Sequence, residues 1–178
     1  MGRKKKSTKF IIEGNDLVGV LENGNHFVTD ADWFEKIKEY YWRRNERGYI
    51  YTTIKVNGKN KSLLLHRLII EAKENEIIDH IDRNKLNNRL SNLRKVNYQE
   101  SNRNNVKRKD NTSGYTGIYW EPKKKLWRAY LYINGKRKSL GRHKSKENAI
   151  KARLKGELQY YGKDFAPQRD LFEKYGIL

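Results

Sequence analysis

Residues 79–94 read Asp-His-Ile-Asp-Arg-Asn-Lys-Leu-Asn-Asn-Arg-Leu-Ser-Asn-Leu-Arg. The stretch sets an acid beside a histidine, Asp79-His80, and places Asn92 twelve residues after the histidine. A carboxylate holds a hard metal ion, and an imidazole takes a proton from water near neutral pH. Asn84, Asn87 and Asn88 crowd the turn between them, which suggests a loop pinned by side-chain hydrogen bonds rather than by apolar packing. Residues 76–79 read as a short strand, 90–96 as its partner and 98–105 as a helix packed across the hairpin. The predicted unit is strand, loop, strand, helix, and in a chain this basic it points to cutting of a phosphodiester.

The basic character is pronounced. The 178 residues hold 40 Lys plus Arg against 21 Asp plus Glu, a net charge of +19. Such a surface attracts a polyanion. The absence of cysteine excludes disulfides and Cys-ligated zinc. No apolar run approaches the roughly 20 residues of a membrane span, and the opening MGRKKKSTKF lacks the apolar core of a signal peptide. The expectation is a cytoplasmic protein whose partner is double-stranded DNA, with no membrane and no small-molecule cofactor.

Outward from the motif, the expected fold class is α+β, built of small modules. Residues 1–48 comprise a basic arm, a hairpin signalled by Asn23-Gly24, and a helix over 30–42. Asp30 caps that helix, and Trp33, Phe34, Ile37, Tyr40 and Tyr41 share its apolar face. Residues 49–56 and 61–65 are strands joined at Asn57-Gly58, followed by a short helix over 65–72 that starts with His66 and Arg67. The nuclease-like module covers 49–105 and a basic linker covers 106–113. Strands over 117–121, 126–133 and 136–141, with a helix from Ser145 to about 161, form a module over 114–166. Residues 167–178 are a tail. VNGKNKSLLLH at 56–66 is echoed by INGKRKSLGRH at 133–143, a repetition of hairpin chemistry.

Hydrolysis of a phosphodiester needs a base for the nucleophile and positive charge at the leaving oxygen; a histidine and a metal ion supply these. Adjacent residues of a strand face opposite sides, so a twist at the strand end is expected to turn Asp79 and His80 toward one phosphate. Asn92 is placed to bond the loop backbone and hold His80. His66 is expected to bond the same loop, Asn88 to scaffold it, and His26 and His143 to be ordinary.

Leu65-His66-Arg67-Leu68, the whole of 79–94 and the Asn-rich segment from Tyr98 resemble the His-Asn-His (HNH) homing endonucleases of phages and mobile introns. The resemblance spans about residues 49–105. It implies a ββα-metal fold that binds a divalent ion, most often Mg²⁺ and otherwise Mn²⁺, in a protein encoded by a phage or mobile element in a bacterial host. It further implies His80 as general base, Asp79 as metal ligand and Asn92 as orienting residue. The family's second ligand is an Asn nine residues beyond the Asn-Leu-Arg asparagine, where this chain has Ser101, followed by Asn102. Either side chain can complete the set, since one residue rotates a helix by about 100°.

Residues 102–142 carry twelve basic side chains against Asp110 and Glu121, a net +10. Arg103, Lys107, Arg108 and Lys109 are expected to follow phosphates, as are Lys123, Lys124 and Lys125. Alternation puts Ile118, Trp120, Trp127, Ala129, Leu131, Ile133 and Leu140 under the helix. Tyr119, Arg128, Tyr130, Tyr132, Arg137 and Ser139 then form an outward face of the width of a major groove. SGYTGIYWEPKKKLWRAYLYINGKRKSLG with its following helix resembles the Apetala/ethylene-response-factor DNA-binding domain. The joint expectation is a site-selective, metal-dependent DNA endonuclease, a monomer that nicks or a DNA-induced dimer. Its rival is a DNA-binding regulator with a decayed nuclease site.

Overall fold

Turn chemistry and a few large aromatics organise the first unit of the computed structural model, which describes residues 7–104 and 111–178 and divides after Ser101. The fold is mixed α+β with small antiparallel sheets and few helices. β1 (Lys9–Glu13), β2 (Asp16–Val20) and β3 (His26–Asp30) form a meander in that order. The helix expected over 30–42 is much shorter. A 3₁₀ turn at Ala31–Trp33 leads into the four-residue α1 (Phe34–Ile37), and Asp30 makes no side-chain cap. The chain leaves the helix because Trp42 turns back: its indole N–H donates to the Ile37 carbonyl at 3.0 Å, and its backbone N–H donates to Thr8 Oγ1 at 2.7 Å.

β4 (Arg43–Arg44), β5 (Ile50–Val56) and β6 (Lys59–Leu64) make a second sheet. Asn57 and Gly58 take φ of 51° and 75° at its hairpin, the left-handed pair that a two-residue turn demands. α2 (Leu65–Ile69) follows directly. β7 (Ile77–His80) pairs with β8 (Leu93–Val96), which a 3₁₀ turn at Leu90–Asn92 introduces. α3 (Tyr98–Arg103) starts with a reciprocal capping box. Asn97 N–H donates to Glu100 and Glu100 N–H donates to Asn97, each at 2.9 Å.

Leu17, Leu21, Phe27, Ile37 and Trp42 share one buried cluster with Ile50, Leu65, Ile69, Ile78 and Leu93. A boundary at residue 48 therefore separates no cores: the first 48 residues and the β7–β8 hairpin bury the same surface. The expected packing of the 98–105 helix differs too. α3 buries none of its residues and Tyr98 is 72% exposed, since Tyr-Gln-Glu-Ser-Asn-Arg offers no apolar stripe.

In the second unit, β9 (Ile118–Glu121), β10 (Leu126–Ile133) and β11 (Lys136–His143) form an antiparallel sheet in the order β11-β10-β9. α4 (Lys146–Tyr161) is capped by Ser145, whose hydroxyl accepts from Asn148 N–H at 3.1 Å. Ile118 and Ala129 are buried against Ala149, Ile150 and Leu154, and buried Leu131 lies beside Gly156 of α4. Trp120, expected beneath the helix, is 41% exposed and packs on Trp127 at the end of the sheet.

The inward stripe of α4 also carries charge. Arg153 donates to Glu157 at 2.7 Å with both side chains buried, and to the Tyr130 carbonyl. Gln168 completes the network with two bonds to Glu157 and two to the Thr116 backbone. Gly117, at φ 75°, lets the chain pass beside Arg153 and the Tyr130 carbonyl where a Cβ would collide. Residues 167–178, expected as a tail, are part of this unit: Phe172 is 1% exposed and the Tyr175 hydroxyl lies 2.7 Å from that of Tyr115.

Candidate active site and nucleic-acid interface

The loop after β7 is a knot of amides around one carboxylate. Asp82 Oδ1 accepts from Asn84 N–H at 2.7 Å and from Asn92 Nδ2 at 2.9 Å, while Oδ2 accepts from Asn87 Nδ2 at 2.8 Å. Asn92 also accepts from Asp82 N–H at 3.0 Å and donates to the Asn87 carbonyl at 2.7 Å. Burial alone would push the Asp82 carboxyl up, but the bonds from Asn87, Asn84 and Asn92 outweigh it and hold the group below its ordinary value.

His80 is buried at the end of β7, and its Nε2 lies 3.3 Å from Asn88 Oδ1. The Asn88 amide nitrogen donates to the Lys85 carbonyl at 3.3 Å, which orients the oxygen toward the ring. Nε2 is accordingly the protonated nitrogen of neutral His80, and Nδ1 carries the lone pair. Burial draws the His80 pKa down, against the opposing pull of Asn88, Asp82 and Asp79. The ring is therefore neutral near pH 7, the state a general base requires.

β3 holds this loop from outside the motif. Val28 N–H donates to the Leu86 carbonyl at 2.9 Å, and Asn88 N–H donates to the Val28 carbonyl at 2.7 Å. Thr29 Oγ1 donates to the Asn88 carbonyl at 3.1 Å, and Leu90 N–H to Asp30 Oδ2 at 2.7 Å. Arg89 grips Asp16 of β2 through Nε at 2.7 Å and Nη2 at 2.6 Å. Asp30 thus serves the loop rather than a helix.

Asp79 and His80 do not turn toward one side. Regular pairing persists to the end of β7, with Asp79 opposite Arg94 and His80 opposite Leu93, because the turn starts only beyond His80, where Arg83 N–H donates to the His80 carbonyl at 3.0 Å. The two side chains leave opposite faces of the ribbon. Asp79 Oδ2 accepts from Arg94 Nη2 at 2.9 Å and Nε at 3.2 Å.

His66, expected to bond the loop, instead packs by its ring. It lies 5.0 Å from Tyr49 and 5.2 Å, edge-on, from His80, with Nδ1 buried and without a hydrogen bond. Burial, followed by the charges of His80, Arg67 and Lys85, pushes its pKa down to about 3. On α3, Ser101 is half-buried and Asn102 exposed. Among the described residues no group of three or more His, Cys, Asp or Glu sits together as a metal cluster. The available donors are hard oxygens, which fit a small hard ion that keeps several waters.

The outward face of β9–β11 assembles as the alternation requires, and as an ordered network. Arg137 lies over Tyr130 at 3.9 Å and donates to the Tyr119 hydroxyl at 2.9 Å. Ser139 stands opposite Tyr130, and Tyr132 is 54% exposed. Arg128 and Arg142 both reach Glu121. Lys123, Lys124 and Lys125 are exposed in the β9–β10 turn, and Arg103 stacks on Tyr161 at 4.4 Å. Lys107, Arg108 and Lys109 lie outside the described residues. Asp16, Thr29, Asp82 and Lys85 at the loop, and Arg142 on the sheet, escape a reading of the sequence. Only Asp82, in an Asp-x-Asn turn, carries a local signal for its role.

Residues 63–103 match the HNH endonuclease family model. Protein 3.8 of Escherichia phage T7 is 42% identical over 59 residues, covering 33% of this chain and 49% of that protein. An uncharacterised HNH endonuclease of Acanthamoeba polyphaga mimivirus is 33% identical over 93 residues, 48% of this chain and 28% of its own length. A solved structure described as DNA binding and cleavage by the HNH homing endonuclease I-HmuI aligns at 27% identity over 49% of each chain, with a TM-score of 0.32. The chain spans about half or less of the length of these relatives. No helix among the described residues is long and apolar enough to cross a membrane.

Proposed function

We propose that this chain is a site-selective, divalent-metal-dependent DNA endonuclease of the homing type. The observation that carries the reading is His80, fixed by Asn88 as the Nε2–H tautomer at the end of β7 within the HNH-matching segment. Its Nδ1 is the atom that takes the proton from the attacking water. A phosphate straddling the end of the ribbon would meet Asp79 from one side and His80 from the other. Asn92 and Asn88 orient; neither needs to touch the phosphate.

Asp79, with Ser101 or Asn102, would hold the ion, Mg²⁺ or Mn²⁺, and the bound ion supplies positive charge at the leaving oxygen. Arg94, paired with Asp79, fixes the rotamer of that carboxylate. The Tyr-Arg face of β9–β11 and the lysines of the β9–β10 turn bind the duplex, and the basic segment before them follows phosphates. One site cuts one strand per encounter, so a monomer nicks and a DNA-induced dimer breaks both strands.

One observation favours the non-catalytic rival, a DNA-binding regulator: Arg94 already satisfies an oxygen of Asp79. Incubation with supercoiled plasmid separates the two. The nuclease converts it to nicked or linear product with Mg²⁺ or Mn²⁺ and stops when the ion is chelated. A protein that binds the plasmid and leaves it supercoiled in both ions is the regulator.

A further inference from the structure

Arg128 and Arg142 are direct partners across β10 and β11, a placement in which like charges repel. Glu121, from β9, joins them. Its Oε2 accepts from Arg142 Nε at 2.7 Å, and its Oε1 accepts from Arg128 Nη1 at 3.1 Å and from the Tyr119 hydroxyl at 3.2 Å. Held through Nε, Arg142 makes no Nη hydrogen bond among the described residues, while Arg128, its Nε buried, is held through Nη1. Arg142 is on this face only because of a bulge. The register moves from Arg128–Arg142 to Tyr130–Ser139, so Leu140 and Gly141 together oppose Ala129, with Gly141 at φ 100°. An extra residue in a strand re-aims the side chains beyond it. Chain geometry and one carboxylate thus cooperate to set two guanidiniums side by side.

We propose that Glu121 is a specificity-positioning residue, holding Arg128 and Arg142 as paired forks for guanine edges in the major groove of duplex DNA. The inference rests on the reading of this sheet as the DNA-binding face. Guanine presents two acceptors, O6 and N7, that match a guanidinium bidentately. Directly opposite residues of a sheet sit about 5 Å apart and base pairs rise about 3.4 Å, so the pair suits guanines in neighbouring base pairs. A carboxylate here lowers the net attraction for phosphate. Its benefit is two long side chains already held in their bound arrangement, which lowers the ordering cost of recognition.

The test is selection of duplexes from a randomised library by the full chain at one fixed salt concentration, with thermal unfolding to confirm that each variant is folded. Wild type should favour guanine about tenfold at each of two neighbouring positions. Glu121→Ala should bind duplex as tightly or more tightly while its guanine preference falls to about twofold or less. Glu121→Asp, with the charge kept but one methylene lost, should lose preference likewise. Gly141→Ala, which strains the bulge and leaves all three side chains in place, should do the same. Variants that enrich the wild-type motif as strongly as wild type, or a wild type that binds duplex with no guanine preference, overturn the inference. A wild type with no affinity for duplex overturns the DNA-binding reading beneath it as well.

Discussion

Asn88 Oδ1 lies 3.3 Å from His80 Nε2, and both residues are buried. The contact sets the tautomer of the candidate base, and through Asn88's backbone it ties that base to β3. Replacing Asn88 with Ala should lower single-turnover cleavage about 10–100-fold, the usual cost of losing an orienting partner, with duplex affinity unchanged. Equal losses in rate and affinity would show that Asn88 acts on binding instead.

The clamp from the N-terminal sheet reaches the same atom from further away. Arg89→Ala and Asp16→Ala each free the loop from β2. Each should slow cleavage by about tenfold through misplacement of the base, and the double variant should be no slower than either single one. Multiplying effects in kinetics of the three variants would mean that the two residues act separately.

His66 makes stability depend on pH. Its folded pKa is pushed to about 3 from an ordinary value of 6.5, so the unfolded chain takes up the proton first. The stability this group confers is complete above pH 6.5 and is lost as pH falls from 6.5 toward 3. The loss is at most about 1.4 kcal/mol per pH unit. Between pH 6.5 and 4.5, before most carboxylates protonate, denaturant unfolding of wild type should weaken with acid. His66→Phe should weaken less, with His80 supplying the remainder. Identical slopes would remove His66 from the account.

In the second unit, Glu157→Ala strands the buried Arg153 guanidinium and unties Gln168. Removing one partner of a buried pair costs about 3–5 kcal/mol, so chemical denaturation should show a loss of that order. A loss under about 1 kcal/mol would mean that water replaces the carboxylate.

Regular elements were legible where period and turn chemistry agree. Asn134-Gly135, Ser145 and the alternation from Leu126 to Ile133 identify β10, β11 and α4 within a residue or two. The 79–94 loop was legible because its asparagines act within the loop itself. What failed depends on distant chain. Trp42 ends α1 early by bonding Ile37, and an apolar stripe on a helical period cannot announce that reversal. Arg153 and Glu157 stand four residues apart on α4, and only the folded chain brings Gln168 and Tyr130 around them. Asp16 and Arg89 are 73 residues apart and carry no mutual signal. The bulge at Leu140–Gly141 moves Arg142 onto the outward face, which strict alternation from Arg137 does not foresee.

His80 is proposed to activate water at a phosphodiester, and the rate of the chemical step reports on that role. Cleavage of supercoiled plasmid under single-turnover conditions in Mg²⁺, with protein in excess, should be at least about 100-fold slower for His80→Ala than for wild type, while both bind the plasmid equally. Equal rates for the two proteins would contradict the claim.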